Sequence, residues 1–316
     1  FYQLTDEDGL PGMKVYDLLE DKQGFIWAGT SGGLCRYDGT EFRTYKHPKQ
    51  KSPSMTGLLE DNWGRIWCHN FANQIFYIEK DSIHLFKDWK KINAANYLQF
   101  ALSPEGNVWI TADTGVHLLD RHGNTLQTWA PPLDPYLTTN RSIREVHVTA
   151  DGTVYIWQNH VGVWRLRNGE WNEITCPDCP ITKNNGPKSY EIVKASVTEQ
   201  NDYWIITHHK NVFCVEGDTL RPWEGQQGLD SNATLMFLRS DESKNADPSL
   251  NHSATGPHTW LTSYKGAFGF DEAHEPIYSG MSFLPENAVS DVIHDREGNR
   301  WFSTLRSGIF LSLIHI

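Results

Sequence analysis

The 316-residue sequence is poor in sulfur, with five Cys and four Met. It contains no apolar run of the about 18–20 residues that a membrane-spanning helix needs, so no span is expected within it. Basic residues are outnumbered, because 28 Lys and Arg face 39 Asp and Glu, for a formal net charge of −11. Since nucleic-acid phosphates bind basic faces, this balance argues against a nucleic-acid-binding protein.

Motifs of several enzyme classes are also missing. The sequence has neither a nucleotide-binding P-loop nor a Gly-x-Gly-x-x-Gly that opens a helix, and helical patterning is nearly absent. No set of His, Cys or carboxylates has metal-ligand spacing, so neither a metal nor a cofactor is predicted. We therefore expect no catalysis by this domain.

Aromatic residues are abundant instead, with 13 Trp, 12 Tyr and 14 Phe. They belong to a repeat whose first copy reads VYDLLEDKQGFIWAGTSGGLCRYDGTEFRTY over residues 15–45. Four segments of strand character in this copy are separated by Gly-rich turns. Each copy repeats one aromatic anchor at an equivalent position. The anchors are Trp27, Trp67, Trp109, Tyr155, Trp204, Trp260 and Trp301.

The anchors lie 40–56 residues apart, a period typical of β-propellers with four strands per blade. We predict an all-β fold, a seven-bladed β-propeller of four-stranded antiparallel blades, as a single domain over residues 1–316. The anchors are then structural and fill the space between blades. The widest spacing places a polar surface loop at about 240–258.

The seventh copy has only three strand segments, which end near residue 314. Residues 1–5 resemble the fourth strand of the first copy. The N-terminal strand is therefore predicted to complete the last blade and to close the ring, leaving no open sheet edge.

A carboxylate recurs before the Gly turn of several copies, at Asp21, Asp61, Asp151 and Asp295. An Asp in this position accepts hydrogen bonds from backbone N–H groups, so a turn-capping role is predicted. Repetition itself argues against catalysis, since an active site needs an asymmetric cluster.

Two cysteines, Cys176 and Cys179, form a Cys-Pro-Asp-Cys motif between the fourth and fifth copies. In an oxidising compartment a local disulfide is the simplest interpretation, with free thiols or a metal site as alternatives. Cys35, Cys68 and Cys214 lie within strand patterns and are predicted to be buried free thiols.

Propellers usually bind ligands where the turns between second and third strands and the connections between blades surround the channel mouth. Aromatic, amide and Arg side chains at this end suit a glycan, whose C–H faces pack on rings and whose hydroxyls bind planar polar groups. The candidate ligand-binding residues are Asn70, Asp113, Arg141, His160, His208, Tyr264 and Arg306.

The repeat over residues 15–45 resembles the two-component regulator propeller repeat. That resemblance implies the extracytoplasmic sensor region of a hybrid two-component system or sensor histidine kinase, located in the periplasm. It further implies an oligosaccharide ligand, control of polysaccharide-use genes, a neighbouring propeller or β-sandwich domain and a homodimeric parent protein. A propeller-fold lyase or glycoside-active enzyme, for instance with His160, His208 and Arg306 meeting at the channel, is one alternative. A protein-interaction or dimerisation scaffold without a small ligand is another.

Overall fold

The computed structural model describes residues 1–89, 98–111, 115–130, 143–158, 162–175, 192–197, 202–207, 212–223, 235–240, 259–271 and 275–313. Within these ranges the chain forms seven antiparallel β-sheets and two short 3-10 turns, at Asp6–Asp8 and Ile277–Gly280. None of the helices among these residues is long and apolar enough to cross a membrane. The predicted loop at 240–258 and the pair Cys176 and Cys179 lie almost entirely outside the described residues.

Six of the sheets take their described strands from one sequence copy, in chain order, and the seventh adds the N-terminal strand to the last copy. The first sheet contains β2 (Val15–Glu20), β3 (Ile26–Thr30), β4 (Leu34–Tyr37) and β5 (Phe42–Tyr45). The second contains β6 (Met55–Glu60), β7 (Ile66–Asn70), β8 (Gln74–Glu79) and β9 (Ser82–Asp88). The third contains β10 (Phe100–Leu102), β11 (Val108–Thr111), β12 (Val116–Leu119) and β13 (Thr125–Trp129).

The remaining sheets repeat this order. The fourth contains β14 (Ile143–Val148), β15 (Val154–Gln158), β16 (Gly162–Arg167) and β17 (Glu170–Ile174). The fifth contains β18 (Ile192–Val197), β19 (Tyr203–Thr207), β20 (Val212–Glu216) and β21 (Thr219–Pro222). The described strands of the sixth are β22 (Leu235–Ser240), β23 (Thr259–Ser263) and β24 (Gly266–Phe270). The seventh contains β25 (Val289–His294), β26 (Arg300–Thr304), β27 (Ile309–Ser312) and β1 (Tyr2–Leu4).

The seven sheets form a closed ring. The first strand of each sheet lies against the first strand of the next, and β25 of the seventh sheet packs on β2 of the first. Strand β1 pairs antiparallel with β27, with Tyr2 opposite Leu311 and Leu4 opposite Ile309. The N-terminal strand thus completes the last sheet, as predicted, and the all-β propeller prediction is confirmed.

The seven anchor aromatics lie on the second strand of their sheets, and each is at most 6% exposed. Every anchor packs into a cluster with residues of the following sheet. Trp27, for example, contacts a cluster that includes Met55 and Phe76, whereas Trp301 closes the ring against Leu18 and Ile26. The apolar core is therefore a series of interfaces between sheets.

The recurring turn carboxylate caps its turn and also holds the anchor. Asp295 Oδ1 accepts the backbone N–H groups of Glu297 and Asn299, while its Oδ2 accepts the indole N–H of Trp301 at 2.8 Å. The indole N–H of Trp27 donates to Asp21 in the same way, and that of Trp67 donates to Asp61. Each carboxylate thereby fixes the side chain that fills the gap between two sheets.

The prediction that Asp151 stands immediately before its turn was wrong by two residues. Thr149 occupies the position before the turn, because its N–H bonds to Thr153 and its carbonyl accepts from Gly152. Asp151 lies inside the turn and accepts hydrogen bonds from Thr149 and Thr153. The anchor of this sheet is Tyr155, which has no indole N–H for a carboxylate to hold.

Cys35 and Cys68 are buried free thiols, and burial raises the pKa of both. Cys214 is also a free thiol but only half-buried, with its pKa raised by burial to about 11. All three are therefore protonated and weakly nucleophilic near neutral pH.

The ring closure makes a specific demand on Gly308. Its φ is +74°, and a Cβ atom at this position would lie 2.2 Å from the carbonyl oxygen of Leu4 in β1. Gly169 has a similar φ of +83° but has open space around it. We expect Gly169→Ala to lower the free energy of unfolding by about 1–2 kcal/mol through backbone strain alone. Gly308→Ala should cost about 1 kcal/mol more, because it also displaces β1.

Urea unfolding of the two variants measures this difference. Equal losses of unfolding free energy in the two variants would contradict the prediction, because they would show that β1 accommodates the added methyl group without being displaced.

Candidate ligand-binding site

Six of the seven first strands that surround the channel contain a β-bulge, and β10 pairs with β11 without one. In five of the six the register shifts between the first and third residues, as at Val15/Asp17 in β2 and Ile143/Glu145 in β14. Register shifts also occur in β6, β18, β22 and β25. A bulge re-aims the side chains around it. In this fold it repeatedly places the third residue of the strand at the junction with a neighbouring sheet.

Three of these third residues are carboxylates that bond to the next first strand. Asp17 Oδ2 accepts the N–H of Leu58 at 2.7 Å. Asp291 Oδ2 accepts the N–H of Leu18 at 3.0 Å, and Glu145 Oε2 accepts the N–H of Ala195 at 3.0 Å. The ring is therefore joined near its axis by charge-assisted hydrogen bonds between sheets.

Lys194 is the equivalent residue of the fifth sheet, and its Nζ lies 2.9 Å from Glu145 Oε1. Burial alone would lower the pKa of Lys194, but attraction to Glu145, and more weakly to Asp17 and Asp291, raises it. These four residues stand at the third position of the first strands of the first, fourth, fifth and seventh sheets, so one cation and three anions share the innermost strands of the ring.

The Glu145 carboxylate has every oxygen engaged. Its Oε2 accepts hydrogen bonds from Trp157 Nε1 at 3.3 Å and lies 3.2 Å from His147 Nε2. Burial would raise the pKa of Glu145, but Lys194 and His147 lower it well below its usual range. Neither Glu145 nor Lys194 exchanges a proton near neutral pH, whereas a general acid or base needs a pKa close to the working pH. This pair supplies fixed charge and cohesion between sheets.

The channel mouth presents aromatic rings and an Arg. Tyr16, next to the bulge of β2, lies with its ring centroid 5.2 Å from that of Phe71, which follows β7. Tyr264 is 58% exposed in the turn between β23 and β24, and Arg306 is exposed in the turn between β26 and β27. All these turns join second to third strands, so they lie at one end of the ring. Rings and guanidinium groups in this arrangement can stack on and hydrogen-bond to a polar ligand.

The structure gives Asn70 a different place from the one predicted. Its side chain is buried, and its Oδ1 accepts the backbone N–H groups of Ala72 and Gln74. Its Nδ2 donates to Gln74 Oε1 and to the carbonyl oxygen of Ser52. Asn70 therefore shapes the turn that carries Phe71, and its amide is not offered at the surface.

Of the other six candidates, the structure describes two and leaves four outside the described residues. Tyr264 and Arg306 lie exposed on the predicted end of the ring. The candidates outside the described residues stay predictions: Asp113, Arg141, His160 and His208. The enzyme alternative that unites His160 and His208 with Arg306 lies outside them too. Among the residues that the structure does describe, no group of three or more His, Cys, Asp or Glu could hold a metal ion.

Sequence reasoning missed the residues of the channel wall. Asp17 and Asp291 stand at the same position of the first and seventh copies, four residues before the turn carboxylate, and this repetition was an available signal. Glu145 and Lys194 carry no such signal, because their copies have drifted. Tyr16 was missed because strict alternation along β2 does not reveal a bulge.

Comparisons with known proteins agree with this architecture. A family model described as two-component regulator propeller matches residues 9–32. A curated relative, histidine kinase P4 of Formosa agariphila, is 38% identical over 56 residues. That alignment covers 18% of this chain and only 4% of the kinase.

Solved structures share the fold at low sequence identity. Virginiamycin B lyase from Staphylococcus aureus superposes with a TM-score of 0.71 at 14% identity, over 99% of this chain and 98% of the lyase. The extracellular domain of the putative hybrid two-component system BT4673 from B. thetaiotaomicron gives 0.66 at 17% identity, over 96% of this chain. The corresponding domain of BT3049 gives 0.66 at 16% identity, over 98% of this chain.

This chain spans 38% of the BT4673 domain and 41% of the BT3049 domain. At these identities the superpositions show a shared fold. The residues matched by the family model, 9–32, include β2 and β3 of this β-propeller.

Proposed function

We propose that this chain is the ligand-sensing propeller of a two-component sensor histidine kinase, located in the periplasm. The match of residues 9–32 to the two-component regulator propeller carries this proposal. The short alignment with a histidine kinase and the fold shared with extracellular domains of hybrid two-component systems support it. In this proposal the domain is not itself an enzyme, and the phosphoryl chemistry belongs to a kinase domain elsewhere in the parent protein.

The ligand that we propose is an oligosaccharide bound at the channel mouth. The Tyr16–Phe71 pair, Tyr264 and Arg306 combine aromatic faces with a planar donor, which is the chemistry that sugars require. These side chains come from the first, second, sixth and seventh sheets. A ligand across the mouth would therefore contact several sheets at once.

Such a ligand would signal by favouring one packing arrangement. The sheets are joined near the axis by Asp17 and Asp291, whose hydrogen bonds cross from one first strand to the next. A ligand that binds one arrangement of the sheets more tightly shifts the population toward it, by no more than its differential affinity. A neighbouring propeller or sandwich domain, or the second protomer of a dimer, would receive this change.

A thermal-shift screen with an oligosaccharide panel tests the proposal, because a ligand of the native state raises the melting temperature by mass action. We expect one glycan class to raise it and Arg306→Ala to abolish that shift. Arg121→Ala is the matched control, since Arg121 is exposed in a turn at the opposite end of the ring. Tyr16→Ala should weaken the same shift.

Two results would contradict the proposal. One is an absence of any glycan-dependent shift at millimolar concentration, which would favour a scaffold without a small ligand. The other is a shift that survives both Arg306→Ala and Tyr16→Ala, which would place the ligand elsewhere on the ring.

A further inference from the structure

A cavity of about 230 Å³ separates the first and second sheets at the end of the ring opposite the mouth. It lies between the turn after β2 and the turn that joins β8 to β9. Its wall includes Gln23, Trp27, Arg36, Ile66, Lys80 and Asp81. The cavity is therefore distinct from the candidate site at the mouth.

Arg36 brings an incompletely satisfied cation to this cavity. One guanidinium nitrogen donates to Asp81 Oδ1 at 3.3 Å, and the central carbon lies 4.2 Å above the ring of Phe25. Its Nε atom is buried and has no hydrogen-bond partner among the described residues. A buried donor without a partner is costly, and more so on a charged group, so the Arg36 guanidinium is left incompletely satisfied.

The carboxylates of the wall are already engaged. Asp21 accepts hydrogen bonds from the backbone of Gln23 and Phe25 and from the indole of Trp27. Asp81 is shared by Arg36, Arg43 and Tyr45. The negative charges are thus held by internal donors, and the positive charges are not fully matched.

Two further donors are uncommitted. Within the described part of the chain, the ammonium group of Lys80 and the side-chain amide of Gln23 make no hydrogen bond, and both residues are exposed at the rim. With Arg36, they provide two cationic groups and one amide around the same space. This donor set favours a carboxylate with additional hydroxyl groups.

The remaining wall sets the size and body of the ligand. Trp27 and Ile66 supply apolar surface, and a volume of about 230 Å³ is smaller than the roughly 300–1,000 Å³ of sites for drug-sized ligands. We propose that this cavity binds a single carboxylate-bearing sugar ring, with its carboxylate on Arg36 and Lys80 and its hydroxyls on Gln23. The proposal does not depend on the sensory role proposed above.

The fold contains a matched control for Arg36. Arg165 stands on the third strand of the fourth sheet, as Arg36 does in the first, and it contacts Asp218 in a turn of the following sheet. Arg165 also donates to the carbonyl oxygen of Gly217 at 2.6 Å. Arg36→Gln and Arg165→Gln therefore remove equivalent contacts between sheets, and only the first alters the cavity.

Isothermal titration calorimetry with glucuronate, glucose and sulfate tests the proposal on the whole chain. We expect glucuronate to bind and neither glucose nor sulfate to match it. Arg36→Gln and Lys80→Ala should each weaken glucuronate binding about tenfold or more, while Arg165→Gln leaves it unchanged. The Trp27 indole N–H resonance should shift on titration, because Trp27 lines the cavity and its indole bonds to Asp21 of the same wall.

Circular dichroism shows whether Arg36→Gln remains folded, and the exposed Lys80→Ala keeps the test decisive if it does not. Equal binding of glucose would overturn the role of the carboxylate, and equal binding of sulfate would overturn the role of the sugar ring. Undetectable glucuronate binding, or binding that survives Lys80→Ala, would overturn the assignment of the site.

Discussion

Replacing Trp301 with alanine is expected to lower the free energy of unfolding by about 3–5 kcal/mol. Trp301 is 5% exposed and belongs to the cluster that joins the seventh sheet to the first. Its indole N–H also satisfies Asp295, which would lose this donor in the variant. The loss combines an unfilled cavity at the ring closure with a carboxylate left short of one partner.

Urea unfolding measures this loss, and Trp63→Ala is the control. Trp63 is 60% exposed in the turn of the second sheet, so its removal should cost far less. If both substitutions had the same small effect, the anchor aromatics would not be the source of cohesion between sheets.

Replacing Lys194 with methionine is expected to lower the free energy of unfolding by about 3 kcal/mol at neutral pH. The substitution keeps most of the apolar stem but leaves the buried Glu145 carboxylate without its cation at 2.9 Å. Adding Glu145→Gln to this variant should recover part of the loss, because the unpaired charge is then removed as well. Additive losses in the double variant would contradict a direct pairing.

The same pair predicts a dependence on pH. The pKa of Glu145 is lowered in the folded state, so its contribution to stability is complete above the ordinary value of about 4.5. It is lost as the pH falls below that value toward the lowered pKa. In Lys194→Met the pKa of Glu145 should rise, so the difference between the folded and unfolded pKa narrows and less stability is lost on acidification. Unfolding midpoints in urea between about pH 3 and pH 8 would show parallel profiles if Lys194 were not the cause.

The fold was predictable because its determinants repeat. The anchor aromatic returns at Trp27, Trp67 and Trp301 with the same turn carboxylate six residues earlier, and one copy suffices to recognise the others. In the fourth copy the indole and the carboxylate are lost together, and the turn assignment slipped to Asp151. The repeat is therefore recognisable in those copies that keep the hydrogen bond between the turn carboxylate and the anchor indole.

The channel wall and the cavity were not predictable in the same way. Glu145 and Lys194 are 49 residues apart, and their contact depends on a bulge in each first strand and on the distance between two sheets. Arg36 meets Asp81 across 45 residues for a similar reason. Among the described residues such pairs do not recur in every sheet, so no repeat in the sequence marks them.

The pairing of β1 with β27 has a consequence for the order of folding. Gln3 and Ser307 are hydrogen-bonded across 304 residues of chain, whereas most other strand pairs are hairpins between neighbours. Closing so long a loop carries the largest entropic cost in the molecule, and non-local pairings slow folding. We infer that the sheets assemble locally first and that the N-terminal strand docks last. A circular permutant in which residues 1–8 directly follow β27 would turn this step into a local hairpin, and its final folding phase should accelerate.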